Sequence, residues 1–465
     1  MNNDLQIINS IFSKIITLET NLLTNNNSNI ENINIDSNNI AIGSSILTNN
    51  INGYDNIAIG SSVLIKNTDG YDNIAIGSFT LDNNTTGSYN IAHGNNALSN
   101  NIDGNYNIAH GISALYGNTG GINNIAIGSS ALFSNTTGNN NIAHGNFALN
   151  NNISGYNNIA IGSYALHNNI SGYNNIANGI NSLYRNTTGN NNIANCYFAL
   201  NNNTIGNNNI ANCYFALNNN IDGYYNIAIG IPALHNNTSG FQNIAIGKNT
   251  LYNNTIGTSN IAIGSYALYS NTNSSDNIAI GYSANYNNIY SNTICIGENT
   301  NSSAINQIQL GNSVMDAYIA AGSIQSTSDM RDKTAIRDTI LGLEFINKLR
   351  PVDYLWNYRS DYIQIDKDKN DKLIQTQLEN DGSKTRKRYH HGLIAQEIQQ
   401  VIIDIGVDLG GLQNHAINGG DDTYSVGYTE LIAPLIKSVQ ELNNKINDLI
   451  IENKQLKDRL DNANL

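Results

Sequence analysis

Asn56-Ile57-Ala58-Ile59-Gly60-Ser61-Ser62-Val63-Leu64-Ile65-Lys66-Asn67-Thr68-Asp69-Gly70-Tyr71-Asp72 is one full period of this chain, because Asn73 starts the same phrase again. The opening Asn-Ile-Ala-Ile-Gly, with substitutions, begins at Asn39 and returns every 17 residues through Asn277, 15 copies without an insertion. Two looser copies follow, from Thr293 and from Gln307, at intervals of 16 and 14 residues. A fixed period this short marks stacked repeats. Within a copy, Ile57 and Ile59 share one face of a short strand, because side chains alternate. Gly60 breaks the strand, and Val63 and Leu64 add a second apolar touch. Asn67-Thr68-Asp69-Gly70 supplies turn chemistry, with the glycine free to take a positive φ. One copy cannot bury its own apolar face, whereas copies stacked in register build a continuous core. Residues 39–311 are therefore expected to form a β-solenoid or β-roll rod, about 70 Å long at roughly 4.8 Å per rung. Seventeen residues rich in Asn, Gly and Thr cannot hold two packed helices.

Composition narrows the function. The chain has 465 residues and a formal charge of -13, yet only 12% of residues are charged, and most of those follow Ser328. Phosphate neutralisation needs clustered Lys and Arg, so a nucleic-acid partner is excluded. No run of about 18 apolar residues exists, so no membrane span is expected. The start, MNNDLQIINSIFSKIITLETNLL, lacks the basic opening and small-residue cleavage site of a secretory signal. Leu5, Ile8, Phe12, Ile15 and Leu22 instead predict an amphipathic helix, making residues 1–38 a cap. Cys196 and Cys213 fall at equivalent places in two near-identical copies, and with Cys295 they imply no disulfide framework. The Asn-x-Thr sequons, such as Asn135-Thr136-Thr137, read as turn residues.

Two positions within the repeat invite a functional reading. The fourth residue of the phrase is His at His93, His110 and His144, and Asn at Asn178, Asn195 and Asn212. Stacked imidazoles suggest metal ligands, but no acidic or Cys partner recurs with them, so a tolerated polar ladder is the preferred reading and no metal or other cofactor is assigned. A Tyr precedes the phrase at Tyr54, Tyr71, Tyr89, Tyr106, Tyr156 and Tyr173. Stacked, these rings would form a ladder that either stabilises turns or binds a host receptor or glycan. The Ile-Ala-Ile-Gly rungs resemble the head repeats of trimeric autotransporter adhesins and related haemagglutinin-like repeats. That resemblance implies a threefold β-roll on a fibre, although the 17-residue period is longer than theirs.

After a neck at 312–327 the texture changes. Ile336, Ile340, Leu343, Ile346 and Leu349 predict a helix over 335–348, stopped by Pro351. Val352 to Tyr362 reads as an aromatic strand, Asp366 to Arg388 as a hairpin or loop, and the run after His391 as a second helix. A long helix begins near Tyr428. Ile432, Val439, Ile446, Asn453 and Leu460 occupy one heptad seam and Leu435, Leu442, Leu449 and Leu456 the other, which predicts a coiled coil over 430–462. β-branched residues opposite Leu with one Asn favour two strands by core rules alone.

Ser328-Asp329-x-Arg331-x-Lys333, His391-Gly392-Leu393-Ile394-Ala395-Gln396-Glu397 and Tyr428-Thr429-Glu430-Leu431-Ile432-Ala433-Pro434-Leu435, in that order, resemble the intramolecular chaperone of phage endosialidases and tail spikes, the peptidase S74 family. The resemblance covers 328–465 and implies a trimerising α+β chaperone domain that assembles a β-rich fibre and then removes itself. It also implies Ser328 as nucleophile, Lys333 as general base and Thr327–Ser328 as the scissile bond. Asp329, Arg331, His391, Gln396 and Glu397 are its supporting residues. The chemistry is coherent, since a serine hydroxyl needs a base within reach and lysine serves as one only where desolvation disfavours its charge. The expectation is a mainly β, homotrimeric fibre on a virion or outside a cell, made in the cytoplasm and matured by self-cleavage. Its alternative is a non-enzymatic rod that binds a receptor or glycan and is merely trimerised by its C-terminal domain.

Overall fold

The computed structural model describes residues 33–34, 38–312, 328–367, 373–418 and 422–462. It divides into two units, 1–243 and 244–465. The helix expected from Leu5 to Leu22, the neck at 313–327 and Thr327 lie outside the described residues.

In the first unit each copy of the phrase lays down one strand, from Ile40–Ser44 and Ile57–Ser61 to Ile227–Ile229. Neighbours pair parallel without slip, Ile57 opposite Ile74 and Ala58 opposite Ala75. The strand Ile33–Asn34 pairs antiparallel with Ile40–Ser44, Ile33 opposite Ile42. The second unit begins with the same ladder, from Ile244–Ile246 to Ile278–Ile280. It then takes in both looser copies as parallel rungs, Ile278 opposite Ile294 and Ile294 opposite Ile308. The shortened intervals thus delete turn residues and keep strand register. A parallel β-solenoid is the outcome in both units.

Its core is not the expected one. The side chain facing inward from each strand is the alanine between the isoleucines: Ala58, Val63 and Leu64 are fully buried, while Ile59 is half-buried and Ile161 exposed. A 17-residue coil is narrow, so once a leucine such as Leu64 fills it the strand has room only for a methyl group. The isoleucines at the second and fourth positions therefore point outward and form two apolar columns on the solenoid face.

Much of the remaining interior is asparagine. At the start of the phrase, Asn73 donates from its backbone N–H and from Nδ2 to Asn56 Oδ1, at 3.1 and 3.0 Å. Its Nδ2 also reaches the Gly87 carbonyl at 2.9 Å. A second ladder stacks the turn asparagines, with Asn84 Nδ2 donating to Asn67 Oδ1 and to that same Gly87 carbonyl, each at 2.8 Å. Both lone pairs of one carbonyl are thereby used in each coil, and buried amides that would otherwise be costly are satisfied. The turn glycine serves this approach rather than a positive φ: a Cβ on Gly87 would lie 2.4 Å from Asn84 Oδ1 and 2.5 Å from the Gly104 carbonyl. Positive φ falls instead on Asp55, Ser62 and the buried Leu64 (φ 49°). Left-handed backbone costs a leucine about 1–2 kcal/mol, which full burial of the side chain, about 1.5–3 kcal/mol, offsets. The sequon at Asn135 belongs to the second ladder. It is buried, and Nδ2 bonds to Asn118 Oδ1 at 2.7 Å and to the Gly138 carbonyl at 3.0 Å, so it is a turn residue and not a glycan acceptor.

The rest of the second unit is α+β. Helix α1 spans only Leu343–Lys348, not 335–348. Ala335 takes φ 52° and Gly342 sits at the N-cap, so the apolar spacing upstream is not helical. Strand Val352–Leu355 stops short of Tyr362 and pairs antiparallel with Tyr389–Gly392, while Arg359–Tyr362 forms a 3-10 turn. Ile363–Lys367 and Leu373–Gln377 pair antiparallel, so the hairpin expected over Asp366 to Arg388 starts three residues earlier and ends at Gln377. Helix α2, Ala395–Ile405, ends at Gly406 in the left-handed region. A small hairpin, Leu412–Asn414 with Tyr424–Val426, fills the glycine-rich region, and helix α3 runs Ile432–Asn462. Leu341, Phe345, Ile398, Leu409 and Leu431 form the core that joins these pieces.

Candidate functional site

Ser328 begins the described C-terminal region. Asp329 adopts extended backbone (φ -71°, ψ 133°) and its carboxylate accepts the Arg331 backbone N–H at 2.9 Å, capping the 3-10 turn Met330–Asp332. The Arg331 guanidinium folds back on the same carboxylate, Nη2 to Oδ2 at 2.6 Å, which holds the Asp329 carboxyl below its usual range. This clamp fixes one turn of chain, and the turn returns Lys333 to the start: Lys333 Nζ donates to Ser328 Oγ at 2.6 Å. The motif spacing thus has a local cause, since three residues of 3-10 turn span the gap between nucleophile and amine. Both side chains are exposed in the single chain.

Other residues of the three motifs serve the frame. His391 sits opposite Asp353 in the ladder and its Nδ1 contacts that carboxylate. Glu397 opens α2 and pairs with Arg350, Nε to Oε2 at 3.0 Å, and the guanidinium holds its carboxyl below the usual range. Gln396 is exposed on the first turn of α2. Gly392 is where two motifs meet: a Cβ there would lie 2.5 Å from the Tyr428 hydroxyl, which accepts the Leu393 N–H at 3.0 Å. No hydrogen bond joins His391, Gln396 or Glu397 to Ser328 or Lys333 among the described residues.

Two contacts were not foreseen. The Glu441 carboxylate on α3 accepts the Leu343 N–H at 2.8 Å and so caps α1. His415 is buried, with Nδ1 2.7 Å from Ser303 Oγ and Nε2 3.0 Å from Ser425 Oγ. Neither carries a local sequence signal, because each partner lies far off in the chain or in a different element. The heptad seam of α3 leaves Val439, Leu442, Ile446, Leu449, Leu456 and Leu460 in solvent in the single chain.

The tyrosines stack in pairs rather than as one continuous ladder, because Tyr71 and Tyr89 meet edge-on at 79°. Tyr54 and Tyr71 stack with centroids 4.9 Å apart and planes 6° apart, as do Tyr156 and Tyr173 at 4.9 Å and 4°. Among the described residues no helix is long and apolar enough to cross a membrane. Nor does any group of three or more His, Cys, Asp or Glu side chains among them suit a metal ion.

Residues 328–407 match the family model described as chaperone of endosialidase, Peptidase_S74. No curated protein and no solved structure matches the chain. The match starts at Ser328 and ends just past α2, so the chain joins a β-solenoid to a C-terminal Peptidase_S74 chaperone-like domain.

Proposed function

We propose that this chain is the precursor of a homotrimeric fibre, carried on a virion or displayed outside a cell. Its C-terminal domain aligns three chains, lets the solenoid form, and is then released by cleavage at Thr327–Ser328. The observation that carries the reading is the 2.6 Å contact between Lys333 Nζ and Ser328 Oγ at the first residue of the family match.

The chemistry follows from that pair. Ser328 Oγ attacks the carbonyl carbon of Thr327 through a five-membered ring while Lys333 accepts the hydroxyl proton. The C–N bond then breaks, the proton passes to the departing amine, and an ester joins Thr327 to Ser328 Oγ. Water attacks the ester and leaves Thr327 with a free carboxylate and Ser328 with a free amine. Lysine performs this only where its charged form is disfavoured by burial, and neither side chain is buried in one chain. Assembly supplies the burial in this reading, so cutting follows correct association.

Two apolar surfaces support association. One is the heptad seam of α3, with Val439 66% and Leu449 56% exposed. The other is the outward isoleucine face of the solenoid, continuous along the second position of the phrase and broken along the fourth by His93, His110, His144, Asn178, Asn195 and Asn212. Denaturing electrophoresis and mass measurement of the purified protein test the reading. Fragments 1–327 and 328–465 are expected, and Ser328→Ala and Lys333→Met should each leave an intact chain that is still oligomeric. Wild-type protein that is oligomeric and remains uncut would refute self-cleavage and leave the domain as an assembly device alone.

A further inference from the structure

We propose that His93 and His110 form a two-imidazole binding site for a tetrahedral divalent transition-metal ion, Zn2+ being the best fit. Both side chains occupy the outward fourth position of the phrase, in strands Ile91–His93 and Ile108–His110, and both are exposed. The ladder sets them directly opposite each other. The next coils grip their backbones, with the Gly111 N–H on the His93 carbonyl at 2.9 Å and the Gly128 N–H on the His110 carbonyl at 2.8 Å.

Ring geometry separates this pair from ordinary stacking. Tyrosines at the same repeat position one coil apart lie parallel, as Tyr89 and Tyr106 do at 2° and Tyr156 and Tyr173 at 4°, whereas Tyr71 and Tyr89, which are offset by one residue in the repeat, meet edge-on at 79°. The two imidazoles keep a similar centroid distance, 4.8 Å, but turn to 73°, and their Nδ1 atoms converge to 3.3 Å. Two nitrogens each about 2.05 Å from one tetrahedral ion lie about 3.3 Å apart, whereas neighbouring ligands at right angles around a square-planar or octahedral ion lie about 2.9 Å apart. The observed edge is the tetrahedral one. One choice of tautomers lets the same two atoms share an N–H···N bond, so the 3.3 Å contact holds either a proton or a cation, and the titration below distinguishes the two.

The column contains its own control. Ile76 precedes the pair and Ile127 follows it, so His144, one coil further, has isoleucines rather than an imidazole at the same position on both sides. The site does not depend on the assembly proposed above.

The test is a calorimetric Zn2+ titration of the chelator-treated full chain against His93→Ile, His110→Ile and His144→Ile. Isoleucine already fills this position in neighbouring coils, so the variants keep the strand, which their metal-free thermal midpoints verify. Removing a ligand should cost at least the roughly tenfold typical of losing one of its hydrogen-bonded partners. His93→Ile and His110→Ile should therefore each weaken the tightest event tenfold or more, while His144→Ile leaves it unchanged. Co2+ at the same site should give the intense visible bands of a tetrahedral centre in wild type only. Equal binding by wild type and His110→Ile, or an equal loss in His144→Ile, would overturn the assignment.

Discussion

Cys196 and Cys213 stand where the neighbouring coils have glycine, and replacing either with glycine should stabilise the solenoid. The glycine that ends each strand holds φ between 122° and 148° from Gly43 to Gly297, a range essentially closed to side chains. Cys196 is held at 110° and Cys213 at 138°. The neighbours show why a Cβ is unwelcome: on Gly128 it would lie 2.5 Å from the Gly145 carbonyl oxygen, and on Gly179 2.5 Å from the Cys196 carbonyl carbon. Strain of this kind costs about 1–3 kcal/mol per residue. Glycine returns about 0.5–1 kcal/mol of that through its looser unfolded state, leaving a net gain of about 0.5–2 kcal/mol per site. Because each coil contacts only its neighbours, the gain is local. Hydrogen exchange read by mass spectrometry over residues 192–230 should slow about two- to thirtyfold, the factor that gain corresponds to. The reverse change, Gly128→Cys, should speed exchange in its own coil. Unchanged or faster exchange in Cys196→Gly and Cys213→Gly would refute the argument that stacking forbids a Cβ there.

Asn152→Ala should destabilise its coil by about 2 kcal/mol, since it deletes bonds to Asn135 Oδ1, the Gly155 carbonyl and Asn169 Nδ2; exchange protection no lower than wild type would count against the ladder. Cys295, buried where other strands carry alanine, has its thiol pushed up to about 11 from 9.0 by burial. Its folded value is raised, so its contribution is whole below pH 9 and is lost as pH rises towards 11. The difference between the denaturation midpoints of wild type and Cys295→Ala should therefore be constant below pH 9 and shift against wild type above it, and a thiol reagent should label the exposed Cys196 long before Cys295. Gly392→Ala forces a methyl group against the Tyr428 hydroxyl and should cost about 1–3 kcal/mol. The Gly392→Ala loss should be smaller on a Tyr428→Phe background than on wild type in thermal melts, and an equal loss on both backgrounds would show that the hydroxyl is not the obstacle.

Periodicity made the solenoid legible, because one residue type every 17 positions leaves little but stacking. Even the looser copies at Thr293 and Gln307 pair in register, with Thr293 Oγ1 taking the place of an asparagine amide on Asn277 Oδ1 at 2.6 Å. Which side faces in was not legible. Alternation says that Ile57 and Ile59 share a face, but the radius of a coil decides whether that face or Ala58 fits inside, and radius is a property of the closed turn. The burial of the asparagines was not legible for a related reason. Asn67 looks like a turn residue and is one, yet its amide points along the stack, where a partner exists only once the copies are superposed. In the C-terminal region the Asp329–Arg331 and Ser328–Lys333 contacts close within six residues and need nothing from the rest of the chain. Local spacing failed where distant residues decide, since the spacing from Ile336 promised a helix that Gly342 and the Glu441 carboxylate begin only at Leu343.

What the exposed Ser328–Lys333 pair adds, on the proposed reading, is an order of events. The pair forms within six residues and needs no partner to come within bonding distance. A dyad already competent in that state would cut each chain before its solenoid had found register. The missing ingredient is desolvation of the amine, which a single chain does not provide and a close neighbour can. On that reading the apolar seam of α3 and the isoleucine face of the solenoid would draw such neighbours together by the same hydrophobic force, one in the domain to be released and one in the fibre to be kept. Disabling the seam alone separates the two roles. Leu442→Asp with Leu449→Asp should leave the Lys333–Ser328 contact intact and still abolish cutting, with the uncut chain eluting as a monomer in size-exclusion chromatography. Efficient cutting in that monomer would show that one chain suffices, and the coupling of cleavage to assembly would fall.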